Sequence, residues 1–286
     1  MKFFLLLFVS FLHWQTHLNN EIALKIQEPF GKRLIIKMPL RDAKRLEWLF
    51  LNLMVQETWA YTLGGSKPMS FCFGELPFPS LPSLFPMTIR FALGWKTWEK
   101  YHHLLENSRF EMWREIDPQS KRIQGLIVDK FRFADAIEEN REDFCKVLQK
   151  DPIQIDDLLV RPVMRQPFVH HNALLGILLG FGRGNAWWFF HRERWEKNPS
   201  VWEAEIHDPI LRRFVQKFWS LNKFEITDML LPAFAGDGHS EESIALKKRY
   251  LSIREELFQY YQGKNFLEAT LSLYKSGPDI LKSPVQ

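Results

Sequence analysis

The sequence predicts an α+β protein, mainly α, with a helical core and a small β component in its N-terminal half. That prediction rests first on apolar residues that recur at three- and four-residue steps through most of the chain, the spacing of a helix with one buried face. A second ground is the short alternating segments near Met69–Phe73 and between Phe110 and Val128, which suit strands. A third is composition: 286 residues, 46% hydrophobic and 25% charged, exclude a disordered tail and leave material for a substantial core. Residues 21–286 are therefore expected to form a single globular domain behind a distinct first segment.

That first segment, residues 1–20, places Lys2 before an apolar run from Phe3 to Leu12. A positive charge followed by a short apolar stretch is the pattern of a secretory signal, and it falls short of the roughly 20 residues needed to span a bilayer. A signal peptide or N-terminal anchor is expected, with export to the periplasm, the envelope or the medium. His13-Trp14-Gln15-Thr16-His17 offers no small-x-small cleavage pair. An uncleaved anchor thus stays open, as does a cytoplasmic chain whose N-terminus packs into the fold. Membrane contact is expected through residues 3–12 only.

The body begins with Leu34-Ile35-Ile36, within Lys32–Met38, a strand candidate. Asp42 precedes a helix whose buried face is Leu46, Leu49, Phe50, Leu53 and Met54, stopped by Gly64-Gly65. Met69-Ser70-Phe71-Cys72-Phe73 alternates as a strand does. Pro77, Pro79, Pro82 and Pro86 are expected to exclude helix and central strand, making 74–88 an exposed, partly polyproline loop. Phe91, Trp95, Trp98, His102 and Leu105 mark the next helix. Phe110–Trp113 and Ile123–Val128 read as strands around the turn at 117–120. Phe133, Ile137, Phe144 and Leu148 then suggest one helix, ended by Asp151-Pro152.

From there the pattern is helical. Phe168–Glu196 reads as one long or broken helix and Ile210–Phe218 as another. Ser240 caps a helix with Glu241 and Glu242 in its first turn, and Gly263 is its stop. Phe266–Tyr274 forms the last.

Charge narrows the partners. Thirty-eight basic residues against 34 acidic ones give +4 and a pI near 8.9, with both signs interspersed. Nucleic-acid binding is not expected from such a mixed surface. The cysteines, Cys72 and Cys145, belong to no CxxC or Cys/His cluster, so no metal site is expected. Whether the two pair is left open. No GxSxG or GxGxxG signature is present, and no cofactor is implied.

The segment from Ala173 to Ala186 stands apart. Gly176, Gly180 and Gly184 are spaced by four and would share one face of a continuous helix, open to a neighbouring backbone. Each glycine lowers helix propensity by about 1 kcal/mol, so the group needs a packing or a ligand reason. Arg183, flanked by Gly182 and Gly184, would offer a guanidinium and exposed amides to an anion. His170, His171, Asn185 and His191 lie close in sequence. Adjacent histidines on a helix point about 100° apart, so His170 and His171 cannot share a metal. Gly64-Gly65-Ser66-Lys67-Pro68 has the glycines and lysine of a phosphate loop without its GxxxxGK[ST] spacing, which makes Lys67 a subsidiary anion candidate.

Tyr61–Met69, the run from His170 to Ala186, and Gly263–Leu271 resemble blocks of a family of uncharacterised proteins from chlamydia-like intracellular bacteria. The blocks fall in the same order and span most of residues 40–275. The resemblance implies a bacterial, exported protein and carries no activity or catalytic residue. The function expected is that of an exported binding or interaction protein without catalytic activity, its partner a protein or a small anion. The alternative is an enzyme or small-anion-binding protein with a site around Arg183, His170 and His191.

Overall fold

A computed structural model describes residues 30–74, 85–105, 108–116, 123–151, 158, 166–195, 225–232 and 236–281. The first segment, most of the proline-rich stretch, the turn at 117–120 and the helix expected at 210–218 lie outside the described residues.

The described residues open with α1 (Phe30–Ile36), α2 (Leu40–Gln56) and α3 (Trp59–Leu63), then β1 (Met69–Gly74) and α4 (Phe85–Tyr101), which a 3-10 turn (His102–Leu105) extends. Next come β2 (Phe110–Ile116), β3 (Ile123–Asp129), α5 (Lys130–Glu139) and α6 (Arg141–Leu148). A 3-10 turn (Pro167–His170), α7 (Asn172–Leu178) and α8 (Arg183–Trp195) follow, and α9 (Glu241–Tyr261) and α10 (Phe266–Ser276) complete the helices described.

The three strands form one antiparallel sheet in the order β1-β3-β2, with Met69 opposite Val128 and Met112 opposite Ile127. Side chains alternate across it. Cys72, Phe110, Met112 and Ile127 join a core with residues of α2, α4, α9 and α10. Met69, Trp113, Leu126 and Val128 join a second core with Phe133, Ile137, Phe144, Leu174 and Leu178 from α5, α6 and α7. The sheet is thus a middle layer with helices on both faces, and α+β, mainly α, describes the fold. Both sulfurs are free thiols, Cys72 in the first core and Cys145 against the second, on opposite faces of the sheet.

Much of this follows local chemistry. The five residues expected to form the buried face of α2 are all fully buried. Asp129, Ser240 and Asn265 cap α5, α9 and α10, each accepting a hydrogen bond from an amide two or three residues ahead. Gly125 in β3 leaves room for an indole: a Cβ there would sit 2.3 Å from the Trp95 ring. Trp95 and Trp98, both buried, project from α4 onto that sheet face, and Phe50 meets Trp98 edge-on at 5.5 Å.

Several expectations are corrected. Leu34-Ile35-Ile36 is helical, not a strand; α1 lies on α10 so closely that a Cβ on Gly31 would fall 2.0 Å from the Glu268 carbonyl oxygen. Packing on that helix, with Leu34 buried, overrides the strand preference of two isoleucines. Pro86 does not exclude helix, because it stands in the first turn of α4, where its missing N–H would have had no partner. The α2 helix ends at Gln56, ahead of Gly64-Gly65, and α3 fills the interval. The helix expected over 133–148 is two, broken at Asn140, whose side-chain amide donates to the Ala136 carbonyl at 2.8 Å.

Candidate functional site

The glycine-rich segment is not one helix. Gly180 and Gly182 adopt φ of +78° and +85°, and the chain turns between α7 and α8. Gly176, Gly180 and Gly184 therefore share no helix face. Gly176 still serves close packing, since a Cβ there would lie 2.9 Å from that of Ala186. Gly180 gives its carbonyl to the Tyr250 hydroxyl at 2.5 Å.

The anion-receiving geometry expected around Arg183 exists, and the chain fills it with its own carboxylates. The amides of Gly184 and Asn185, at the start of α8, donate to the two oxygens of Glu242 at 3.1 and 2.7 Å. Glu242 belongs to the first turn of α9, so α9 is pinned to the turn. Arg183 donates Nε and Nη2 to Asp143 at 2.6 and 2.9 Å, a fork on a carboxylate that also receives the Trp187 indole at 3.1 Å. The guanidinium holds the Asp143 carboxyl below the usual carboxylate range.

The histidines join this group through rings. His171 stacks on Phe190 at 4.3 Å and meets Trp187 edge-on at 5.6 Å, while His191 lies over Trp187 at 5.7 Å. His170 is exposed in its 3-10 turn. Asn185 is buried, donates to the Phe181 carbonyl at 3.1 Å and accepts from Ser243 at 2.9 Å. Of the residues singled out, Arg183, His171 and His191 converge on Trp187 and Asp143, and Asn185 faces the other way. This cluster ties α6, α7 and α8 together.

Lys67 points inward. Its side chain is 3% exposed, its Nζ donates to the Thr58 hydroxyl at 3.0 Å, and the ammonium lies 5.6 Å from the centre of the Phe181 ring. Burial lowers the pKa of its ammonium to about 7 against the pull of Glu57, whose carboxyl burial pushes up to about 7 in turn. Thr58 holds φ at +60°, an unusual conformation for a β-branched residue. The turn's amides form no phosphate cradle: Gly64, Gly65, Ser66 and Lys67 donate to carbonyls of Ala60, Thr62, Tyr61 and Tyr61.

An open groove of about 400 Å³ lies elsewhere. Trp98, Glu99 and His102 form one wall, and the consecutive residues Met112–Glu115 of β2 form the other. Consecutive residues of a strand point to opposite faces, so a groove touching all four runs along the strand's edge. That edge is the outer one, because β2 pairs with β3 alone among the described strands. In an antiparallel ladder each residue's N–H and C=O point to one side, alternating along the strand. The Met112 carbonyl accepts the Trp98 indole N–H at 2.9 Å and the Phe110 amide donates to Ser108 at 3.1 Å, so the even-numbered residues turn their main chain outward. Arg114 is the next of these.

Side chains frame the edge. Arg114 forks onto Glu99 across the groove at 2.5 and 3.0 Å, and the Trp113 indole donates to Glu115 at 2.8 Å. Sequence reasoning placed Trp98 and His102 on a helix and Met112-Trp113 on a strand, and missed that they adjoin. The available signal was Trp113-Arg114-Glu115, a charged continuation of an otherwise apolar strand.

Among the described residues no helix is long and apolar enough to cross a membrane, and no three His, Cys, Asp or Glu side chains gather as metal ligands would. No family model, curated protein or solved structure matches this chain.

Proposed function

We propose that the protein is exported and acts by binding, receiving an extended segment of a partner protein along the outer edge of β2. The observation that supports this reading is the groove itself, which borders outward-facing main chain on a strand with one neighbour. Strand addition draws affinity from main-chain hydrogen bonds and selectivity from side-chain pockets. Trp98 and Met112 supply an apolar floor, and the Arg114–Glu99 pair supplies polar groups at the rim. Export rests on Lys2 and the Phe3–Leu12 run, and a bacterial source rests on the family resemblance.

A site built on Arg183, His170 and His191 is less favoured, because Asp143 and Glu242 already occupy the groups that would receive an anion. Peptides selected from a random displayed library on the intact protein test the binding proposal. They should protect the Arg114 amide from hydrogen exchange, lose affinity on N-methylation of alternate peptide bonds, and fail on Arg114→Pro. That substitution removes an outward N–H and leaves the ladder to β3 intact. Binders that protect no amide between 112 and 116 would sink the proposal. Export is read separately, from the mass of the native N-terminus in fractionated cells.

A further inference from the structure

The turn after α3 gathers arginines. Its amides are spent within the turn, but the Gly65 carbonyl accepts two guanidinium donors, Arg132 Nε at 3.0 Å and Arg249 Nη2 at 3.4 Å. Two cations from α5 and α9 therefore share a single neutral oxygen. Arg109 lies beside the same turn, its Nη2 3.8 Å from where a Cβ on Gly65 would be. Its charge is answered by the fully buried Asp129, which takes both Nε and Nη2 at 2.8 and 2.7 Å.

The other two are answered less well. Arg132 meets Asp135 at 3.8 Å, a helical neighbour itself more than half exposed. Arg249 is held below its ordinary value by burial and by the Arg132 charge, with Tyr250 and Glu139 opposing. Both arginines keep exposed surface. The two guanidiniums are brought side by side on a common carbonyl, and their remaining N–H groups are donors of the kind that recognises the oxygens of a phosphate group.

We propose that Arg132 and Arg249, held together by the Gly65 carbonyl, form a binding site for a phosphate group, either inorganic phosphate or a small phosphomonoester. A phosphate carrying between one and two negative charges near neutral pH relieves the repulsion between the guanidiniums and accepts hydrogen bonds from both. The site uses neither Lys67 nor the glycine amides of the turn. It lies outside the β2 groove, so the two proposals stand or fall independently.

The test is calorimetric titration of the full chain with inorganic phosphate and, separately, with glycerol 3-phosphate. Ionic strength is held constant with chloride, and sulfate serves as a second tetrahedral anion. Saturable binding is expected, weakened at least tenfold by Arg132→Gln and by Arg249→Gln and unchanged by Arg192→Gln on the exposed side of α8. Arg249→Lys, which keeps the charge and loses the fork, should fall between wild type and Arg249→Gln. Tighter binding of glycerol 3-phosphate would identify the ester as the ligand, and equal binding would identify free phosphate. Should a glutamine variant lose its circular dichroism, Arg249→Lys and the arginine Nε–H resonances of the wild type under phosphate carry the test. No saturable heat beyond that of chloride, or binding indifferent to Arg249→Lys and to the resonances of both arginines, would overturn the proposal.

Discussion

Lys67→Met should make the protein more stable at neutral pH. The substitution keeps the chain length and removes a buried charge. Burial brings the native ammonium from 10.5 to about 7. At 1.36 kcal/mol for each tenfold change in acidity, the native state forgoes roughly 4 to 5 kcal/mol at pH 7 relative to a solvated lysine. Methionine recovers that amount less the hydrogen bond to Thr58, worth about 1 kcal/mol. It also removes the attraction that lowers Glu57, so that carboxyl stays protonated to higher pH. The freed Glu57 costs part of this, so a net gain of up to about 3 kcal/mol is expected from urea unfolding at pH 7.

The pH profile sharpens the test. Between pH 7 and 10.5 the unfolded chain holds a proton on Lys67 that the native state has released, so native stability rises with pH across that window. Glu57 acts in the opposite sense lower down. Its native carboxyl keeps a proton to about 7 where the unfolded one loses it near 4.5, so stability falls through that interval. Wild type should therefore show a stability minimum near neutrality, and Lys67→Met should lose the alkaline rise. A variant less stable by more than about 1 kcal/mol at pH 7, or a wild type with no gain between pH 7 and 9.5, would refute the reasoning.

Further tests bear on the glycines and on the carboxylates that fill the turn. Gly182→Ala should lower stability by well over 1 kcal/mol, since φ is +85° and the new Cβ would lie 2.5 Å from the Glu242 carboxyl carbon. Gly263→Ala, also at positive φ but with nothing within 4 Å, should cost only about 1 kcal/mol; equal losses in thermal unfolding would contradict that contrast. Glu242→Ala removes the acceptor of two helix-start amides and should cost about 1 to 2 kcal/mol, with amide exchange at Gly184 and Asn185 accelerated. Asp143 is held low by Arg183, so its contribution is present at neutral pH and lost as acid protonates it below about pH 4. Asp143→Asn should flatten the acid limb of the unfolding profile, and an unchanged limb would count against that pairing.

The helices with strong periodicity were legible in advance because local spacing alone sets which face is buried. Leu46, Leu49, Phe50, Leu53 and Met54 are the clearest instance, and the cap at Ser240 needed nothing beyond its own turn. The α7–α8 break was harder. Glycines four apart fit a helix face and a turn equally, and the left-handed φ of Gly180 and Gly182 is settled by contacts from α9, nearly sixty positions away. Arg183 and the neighbouring amides read in the sequence as receivers of an anion, but nothing there revealed that Asp143 and Glu242 would fill them from within the chain. Arg132 and Arg249 escaped notice for a related reason: 117 positions separate them, and only the Gly65 carbonyl brings them together.

The contact between α1 and α10 has a consequence for the order of assembly. Gly31 gives its amide to Ser272 at 3.1 Å, a pairing across 241 positions, and its bare backbone presses on the Glu268 carbonyl. Synthesis runs from α1 to α10, so the earliest described helix has no docking surface until nearly the whole chain has emerged. Closing so long a loop makes this a late step of folding. The stretch ahead of Phe30 is thus tethered to an undocked helix throughout translation, and within reach of whatever factors meet a nascent chain.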